Sequence, residues 1–146
     1  MSRYFANEGL STYTHVTDQH ATYGTKVIVA TRREAHYVLD EILGNATDLP
    51  ITEHATDTHG VTLVNFGLFD LLGLQLSPPR IRDLGRITLY RAAPRAQVES
   101  AFPHAGPLLT RKLNLDLIAE HYDDLLRLSG SLKFGHATAS LLVGKL

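Results

Sequence analysis

One seven-residue pattern occurs twice in the first 59 residues, as Thr14-His15-Val16-Thr17-Asp18-Gln19-His20 and as Glu53-His54-Ala55-Thr56-Asp57-Thr58-His59. Both copies read x-H-x-T-D-x-H, and each follows a stretch rich in Thr, Val, Ile or Ala. β-Branched and aromatic residues favour a pleated backbone, so residues 11–17 and 51–56 are predicted strands that carry Asp18 and Asp57 at their ends. Gln19 to Gly24 reads as a turn, and Thr25 to Ala30 as a second strand that pairs back on the first. Thr31 and Glu34 form a capping box, and Ala35, Val38, Leu39 and Ile42 recur at helical spacing until Gly44 stops the helix. Gly60 opens a second helix, roughly Val61 to Leu72, apolar on nearly all sides and so buried, with Gly73 at its C′ position.

The remaining signals are shorter. Leu74 to Leu76 and Ile87 to Tyr90 read as strands, and residues 92–107, with three Pro, as a loop. Asn114 to Ser129 reads as a helix from the spacing of Leu115, Ile118, Tyr122 and Leu125, and His136 to Leu146 as the start of another. The order β-β-α-β-α-β-β-α-α implies an α/β fold, a mixed sheet with helices packed on it.

A chain of 146 residues fits one domain with a sizeable core. No apolar run approaches the roughly 18 residues of a transmembrane helix, and Met1 to Phe5 lacks the apolar stretch of a signal peptide. Zero cysteines exclude disulfides and thiolate-bound zinc. The expectation is a cytoplasmic protein.

The formal net charge of −1 hides an asymmetry. Residues 1–70 hold 4 Lys/Arg against 9 Asp/Glu, whereas residues 71–146 hold 10 against 6. Much of the positive charge lies in Arg80, Arg82, Arg86, Arg91 and Arg95, opposed locally by Asp83. An acidic half beside a basic half suits a site that holds cations and meets a polyanion. The plainer reading is a solvated loop with surface ion pairs.

Side chains of a strand alternate between faces. Asp18 would then share a face with Val16 and Thr14, and Asp57 with Ala55 and Glu53, while His15 and His54 point the other way. That pattern favours a carboxylate–carboxylate site over a His/Asp cluster. Two carboxylates about 5 Å apart repel by ~3 kcal/mol at an effective dielectric of 20. Such pairs persist when a proton or a cation is shared. Oxygen ligands with open positions suit Mg²⁺ or Mn²⁺, which activates water in phosphoryl transfer. His20 and His59, two beyond each Asp, are candidates to support the site or contact substrate, or are hydrogen-bonded structural partners. In the competing reading Asp18 and Asp57 are turn or cap residues, Asp57 capping the helix that follows. A reading from another class is a small His/Asp metallohydrolase using both H-x-x-D-x-H copies, which strand alternation disfavours.

The chain resembles the catalytic core of the large DDE transposases of the Tn-three family, the class II replicative transposons. The matching stretches are T-H-V-T-D-Q at 14–19, R-E-A-x-Y-V-L-D at 33–40, E-H-A-T-D-T-H-G at 53–60, F-x-L-L-G at 69–73 and P-R-I-R-D-L at 79–84. S-L-K-F-G-H-A-T-A-S-L-L-V-G-K-L at 131–146 is similar to the segment that follows in the family. The resemblance implies a ribonuclease-H-like fold whose first two catalytic acids are Asp18 and Asp57. In the complete enzyme these would hold two Mg²⁺ (or Mn²⁺) ions for 3′-end nicking and strand transfer at transposon ends and target DNA, with self-association of the enzyme. Thr58 and Gly60 would shape the turn after the second acid, and Arg80 and Arg82 would contact phosphate. The family's third acid is a Glu on a downstream helix. Glu99 and Glu120 are the only Glu after position 57 and neither sits in the matching context. The family's long N-terminal DNA-recognition region is absent as well. The expectation is a partial catalytic domain, truncated at the C-terminal end and inactive alone, or an inert remnant of one.

Overall fold

The computed structural model describes residues 9–29, 34–58, 60–80, 82 and 88–145. The first element is an antiparallel hairpin of β1 (Leu10–Val16) and β2 (Thr22–Val29), with Leu10 opposite Val29 and His15 opposite Gly24. Alternation is clear: Tyr13 and His15 turn inward while Thr12, Thr14 and Val16 are exposed. The register slips between His15 and Val16. There the chain leaves the ladder, so β1 stops two residues short of Asp18 and β2 begins at Thr22 rather than Thr25. The tip is a tight turn in which Thr17 N–H donates to Ala21 O (2.8 Å) and Ala21 N–H donates to Thr17 Oγ1 (3.1 Å). His20 within it takes φ +61°.

A 3₁₀ turn, Glu34–His36, leads into α1 (Val38–Leu43), whose Val38, Leu39 and Ile42 are buried. Thr31, and with it the expected capping box, lies outside the described residues. The chain then forms a β-α-β unit: β3 (Glu53–His54), α2 (Leu63–Leu71) and β4 (Gln75–Leu76), with the two strands parallel. Residues 51–56 thus yield two residues of strand where six were expected, because β4 offers only a short edge to pair with. α2 begins at Thr62, whose Oγ1 accepts from Asn65 N–H (3.1 Å). It ends at Gly73, whose φ of +72° lets Leu74 N–H return to Phe69 O (2.9 Å). A side chain in that left-handed conformation would be strained.

These elements belong to a unit made of Met1–Arg80 together with Arg127–Leu146. The core of this unit is Phe69, Val38, Leu39, Ile42, Leu68 and Leu76, closed by Leu132 of α5 (Tyr122–Lys133) and Ala139 of α6 (Ala139–Val143). Burying each Leu or Phe there contributes about 2–3 kcal/mol. Polar ties fix the periphery. Asp40 Oδ1 accepts from Ser140 N–H (3.2 Å) at the start of α6. Lys26 of β2 reaches Glu41 Oε1 (3.2 Å) and Asp40 Oδ2 (3.9 Å) on α1.

The second unit, Ile81–Leu126, contains β5 (Tyr90–Arg91) parallel to β6 (Arg111–Lys112), α3 (Arg95–Ala101) and α4 (Leu115–Glu120). α3 corrects the expected loop over 92–107. Pro94 sits at the N-cap, where its missing N–H costs nothing, and Arg95 Nε pairs with Glu99 Oε1 (2.6 Å) along the helix face. The single helix expected over 114–129 breaks at His121, and its second part runs through Gly130 to Lys133. Part of the expected strand at Ile87 lies outside the described residues. The whole is a mixed α/β structure whose described strands pair two by two rather than in one sheet.

Candidate metal centre

Asp18 and Asp57 line the same cleft, about 920 Å³ in volume, walled by Tyr13 to Gln19 and Tyr23 on one side and Leu49 to Asp57 on the other. Both acids are solvent-exposed. Each lies beyond the end of its strand, Asp18 in the hairpin turn and Asp57 in the segment after β3. Strict strand alternation therefore stops short of either acid.

The setting of Asp57 is built in three steps. Its backbone O and its Oδ1 both face Gly60 N–H, at 3.1 and 3.4 Å. Gly60 is buried, and a Cβ there would run into the Thr56 side chain, so the turn 57–60 closes only around glycine. Asn65, 2% exposed, then clamps the turn: its Nδ2 donates to Gly60 O (3.0 Å) and to Ala35 O (2.9 Å). The helix cap falls to Thr62, so Asp57 closes the turn and does not cap α2. Thr58 Oγ1 donates to Arg80 O (3.4 Å), which ties the start of the 79–84 motif to the residue after Asp57.

The two histidines preceding the acids lie inside. His15 is 2% exposed and its ring centroid is 5.2 Å from that of His54, which lies 6.0 Å from Phe69. Tyr13 meets His15 edge-on at 4.8 Å, and His15 Nδ1 lies 3.1 Å from Tyr23 Oη. Burial pushes both imidazoles toward the neutral form. His54 is lowered to about 4, with the neighbouring His15 adding to the effect, and His15 is lowered against the opposing pull of Glu41. Burial, aided by Glu41, also raises the Tyr23 hydroxyl.

The other candidates are placed separately. His20 is exposed at the left-handed position of the hairpin turn, and His59 and Arg86 lie outside the described residues. Arg80 and Arg82 are exposed. Arg91 and Arg95 of the basic run are engaged internally, with Leu109 O (2.9 Å) and with Glu99. Asn65 carried a signal that strand and helix patterning passes over, a single amide in the otherwise apolar Val61–Leu72 run. The cleft's donors at its acidic end are the carboxylate, hydroxyl and amide oxygens of Asp18, Asp57, Thr17, Thr56 and Gln19. That donor set fits a hard divalent cation. No group of three or more His, Asp or Glu able to hold a metal occurs among the described residues.

Comparison with known proteins gives a consistent answer. The family model "Tn3 transposase DDE domain" matches residues 1–146. The chain is 43% identical over 144 residues to the transposase for transposon Tn501 of Pseudomonas aeruginosa, covering 99% of this chain and 14% of that protein. Identity is 42% over 144 residues to the transposase for transposon Tn21 of Escherichia coli, with the same coverage. It is 33% over 145 residues to the transposase for transposon gamma-delta of Escherichia coli (strain K12), covering 99% of this chain and 14% of the relative. The chain thus spans about 14% of the length of these relatives. No solved structure matches. With a family model over its full length and these relatives along almost all of it, the chain belongs to the Tn3 transposase DDE domain family.

Proposed function

We propose that this chain supplies the first two acids of the metal centre of a DNA transposase, with Asp18 and Asp57 as ligands for Mg²⁺ or Mn²⁺. The observation that carries the reading is that the acids of both motif copies line one cleft. A bound divalent cation would supply Lewis acidity for activating water and steadying the leaving oxygen on a phosphodiester. The chain's own residues orient the carboxylates. Gly60 N–H holds the Asp57 side chain, and Asn65 holds the turn that Gly60 closes. Asp18 sits in a turn braced by Thr17. Arg80 and Arg82 are assigned to DNA phosphates, a role that positions the strand without reading its sequence.

In this reading the complete fold is ribonuclease-H-like, the third acid comes from a longer chain, and the complete enzyme works on transposon ends and target DNA as a homo-oligomer in the cytoplasm. No helix of the described residues is long and apolar enough to cross a membrane. Two carboxylates alone leave a cation mostly hydrated and loosely placed, whereas phosphoryl transfer depends on fixed charge at the developing transition state.

The test uses the purified 146-residue chain. Mn²⁺ titrated into the chain and followed by electron paramagnetic resonance is expected to bind weakly, and Asp18→Asn or Asp57→Asn is expected to remove that binding. Supercoiled plasmid with Mn²⁺ is expected to remain intact. Binding unchanged in both variants would overturn the ligand assignment. Nicking that Asp57→Ala abolishes would mean that this chain carries its own third ligand.

A further inference from the structure

Two separate strand pairs carry the two acids. β1 pairs only with β2 and β3 only with β4 among the described residues, so no ladder of backbone hydrogen bonds sets the spacing between the hairpin turn and the segment after β3. Something else must set it if both carboxylates are to serve one cation. The side chains that meet across this gap are His15, next to last in β1, and His54, last in β3, with ring centroids 5.2 Å apart. Each precedes its acid by three residues, so a displacement of either ring is passed along a short stretch of chain to the carboxylate. Both rings are backed by packed partners: Tyr13 and Tyr23 behind His15, Phe69 behind His54. The Nε2 atoms of both are buried without a hydrogen-bond partner. A buried nitrogen in that state is tolerated at lower cost on a neutral ring than on an imidazolium.

We infer that the His15–His54 stack is the joint that holds Asp18 and Asp57 at a fixed separation, making both histidines positioning residues of the metal centre rather than ligands in it. The inference rests on the reading of Asp18 and Asp57 as cation ligands, and the experiment separates the two. A ring face is what the joint needs, so Phe can replace His54 and Ala cannot. Nothing in this role calls for proton transfer or for a bond to the cation.

The chain contains no cysteine, so spin labels can be placed at Gln19→Cys and Ala55→Cys, exposed positions beside each acid, without other changes. Dipolar electron paramagnetic resonance without metal is expected to give one narrow separation in the labelled parent and in His54→Phe, and a broad one in His54→Ala. If His54→Ala does not fold, His54→Leu, which restores most of the volume but no ring face, takes its place with the same expectation. In the unlabelled proteins, Mn²⁺ affinity is expected to fall about tenfold in the broadened variant and to stay near the parent value in His54→Phe, as for other residues that orient metal ligands. A folded His54→Ala or His54→Leu with the parent's narrow separation would overturn the joint, as would a His54→Phe that broadens like the alanine variant. Should the parent show the narrow separation yet bind no Mn²⁺, the ligand reading fails while the joint stands.

Discussion

Replacing Asn65 with Ala should be among the most damaging single changes in the chain. Asn65 is 2% exposed, and its side-chain amide donates two hydrogen bonds, to Ala35 O at 2.9 Å and Gly60 O at 3.0 Å. Alanine removes both donors and leaves two carbonyls facing a space too apolar to solvate them. Each such loss costs about 1–2 kcal/mol, so Asn65→Ala is expected to destabilise by roughly 3 kcal/mol. Against a total of about 5–15 kcal/mol for an ordinary domain that is a large fraction. Urea unfolding at 25 °C followed by far-UV circular dichroism measures it directly, with a fall in Tm of about 10 °C as the thermal counterpart. Asn65→Asp is the sharper probe. The shape is conserved, but carboxylate oxygens would face two carbonyl oxygens, so the loss at pH 7 should equal or exceed that of alanine and shrink on acidification. A loss below about 1 kcal/mol for Asn65→Ala would refute the clamp, because it would mean that water or relaxation satisfies both carbonyls.

Two further outcomes follow from the same interior. His54 is held at about 4 and His15 also lies below its ordinary 6.5, so between those limits the unfolded chain binds more protons than the folded one. The stability they permit is complete above pH 6.5 and declines as the pH falls toward 4; from pH 7.5 to 5 His54 alone should remove about 2 kcal/mol, and urea midpoints should show His54→Phe losing less than the parent. Lys26→Met should cost about 1–2 kcal/mol at pH 7, since it strips the cation from Glu41 and from Asp40, whose side chain is only 5% exposed. Adding Glu41→Gln to Lys26→Met should recover part of that loss in a double-mutant cycle, and full additivity would show that the pair does not interact.

The parts of this fold that local chemistry dictates were legible in the sequence. The β-branched run gave the hairpin, the apolar run ending in Gly73 gave α2, and Gly44 closed α1 where a helix stop was expected. Elements whose boundaries depend on remote partners were not. β3 is two residues long because β4 is, and strand periodicity cannot report the length of a partner. α3 was hidden by proline, which breaks a helix in its interior but is welcome at its start. The break at His121 leaves apolar spacing intact on both sides, so periodicity runs through it unaltered. At the site, the repeated motif brought forward the two acids that line the cleft. The packing of His15 on His54 joins residues 39 positions apart, and the Asn65 clamp reaches back 30 to Ala35. Neither contact has a local signature.

The backbone at position 20 sets its own rules of replacement. His20 holds φ at +61°, a conformation that costs an ordinary L-residue about 1–2 kcal/mol and that only Gly, and to a lesser degree Asn and Asp, adopt readily. A library randomised at this codon and sorted for folded chain should therefore retain Gly, Asn, Asp and His and discard Val, Ile and Thr, whose branched Cβ crowds the following carbonyl. Survival of glycine would say nothing against the imidazole, since it reports the turn alone. The informative replacement is asparagine, which fits the same backbone with no ring. Where the His20→Asn variant and its parent fold equally and differ in their behaviour toward cation or DNA, the difference belongs to the side chain and not to the shape of the loop that carries Asp18.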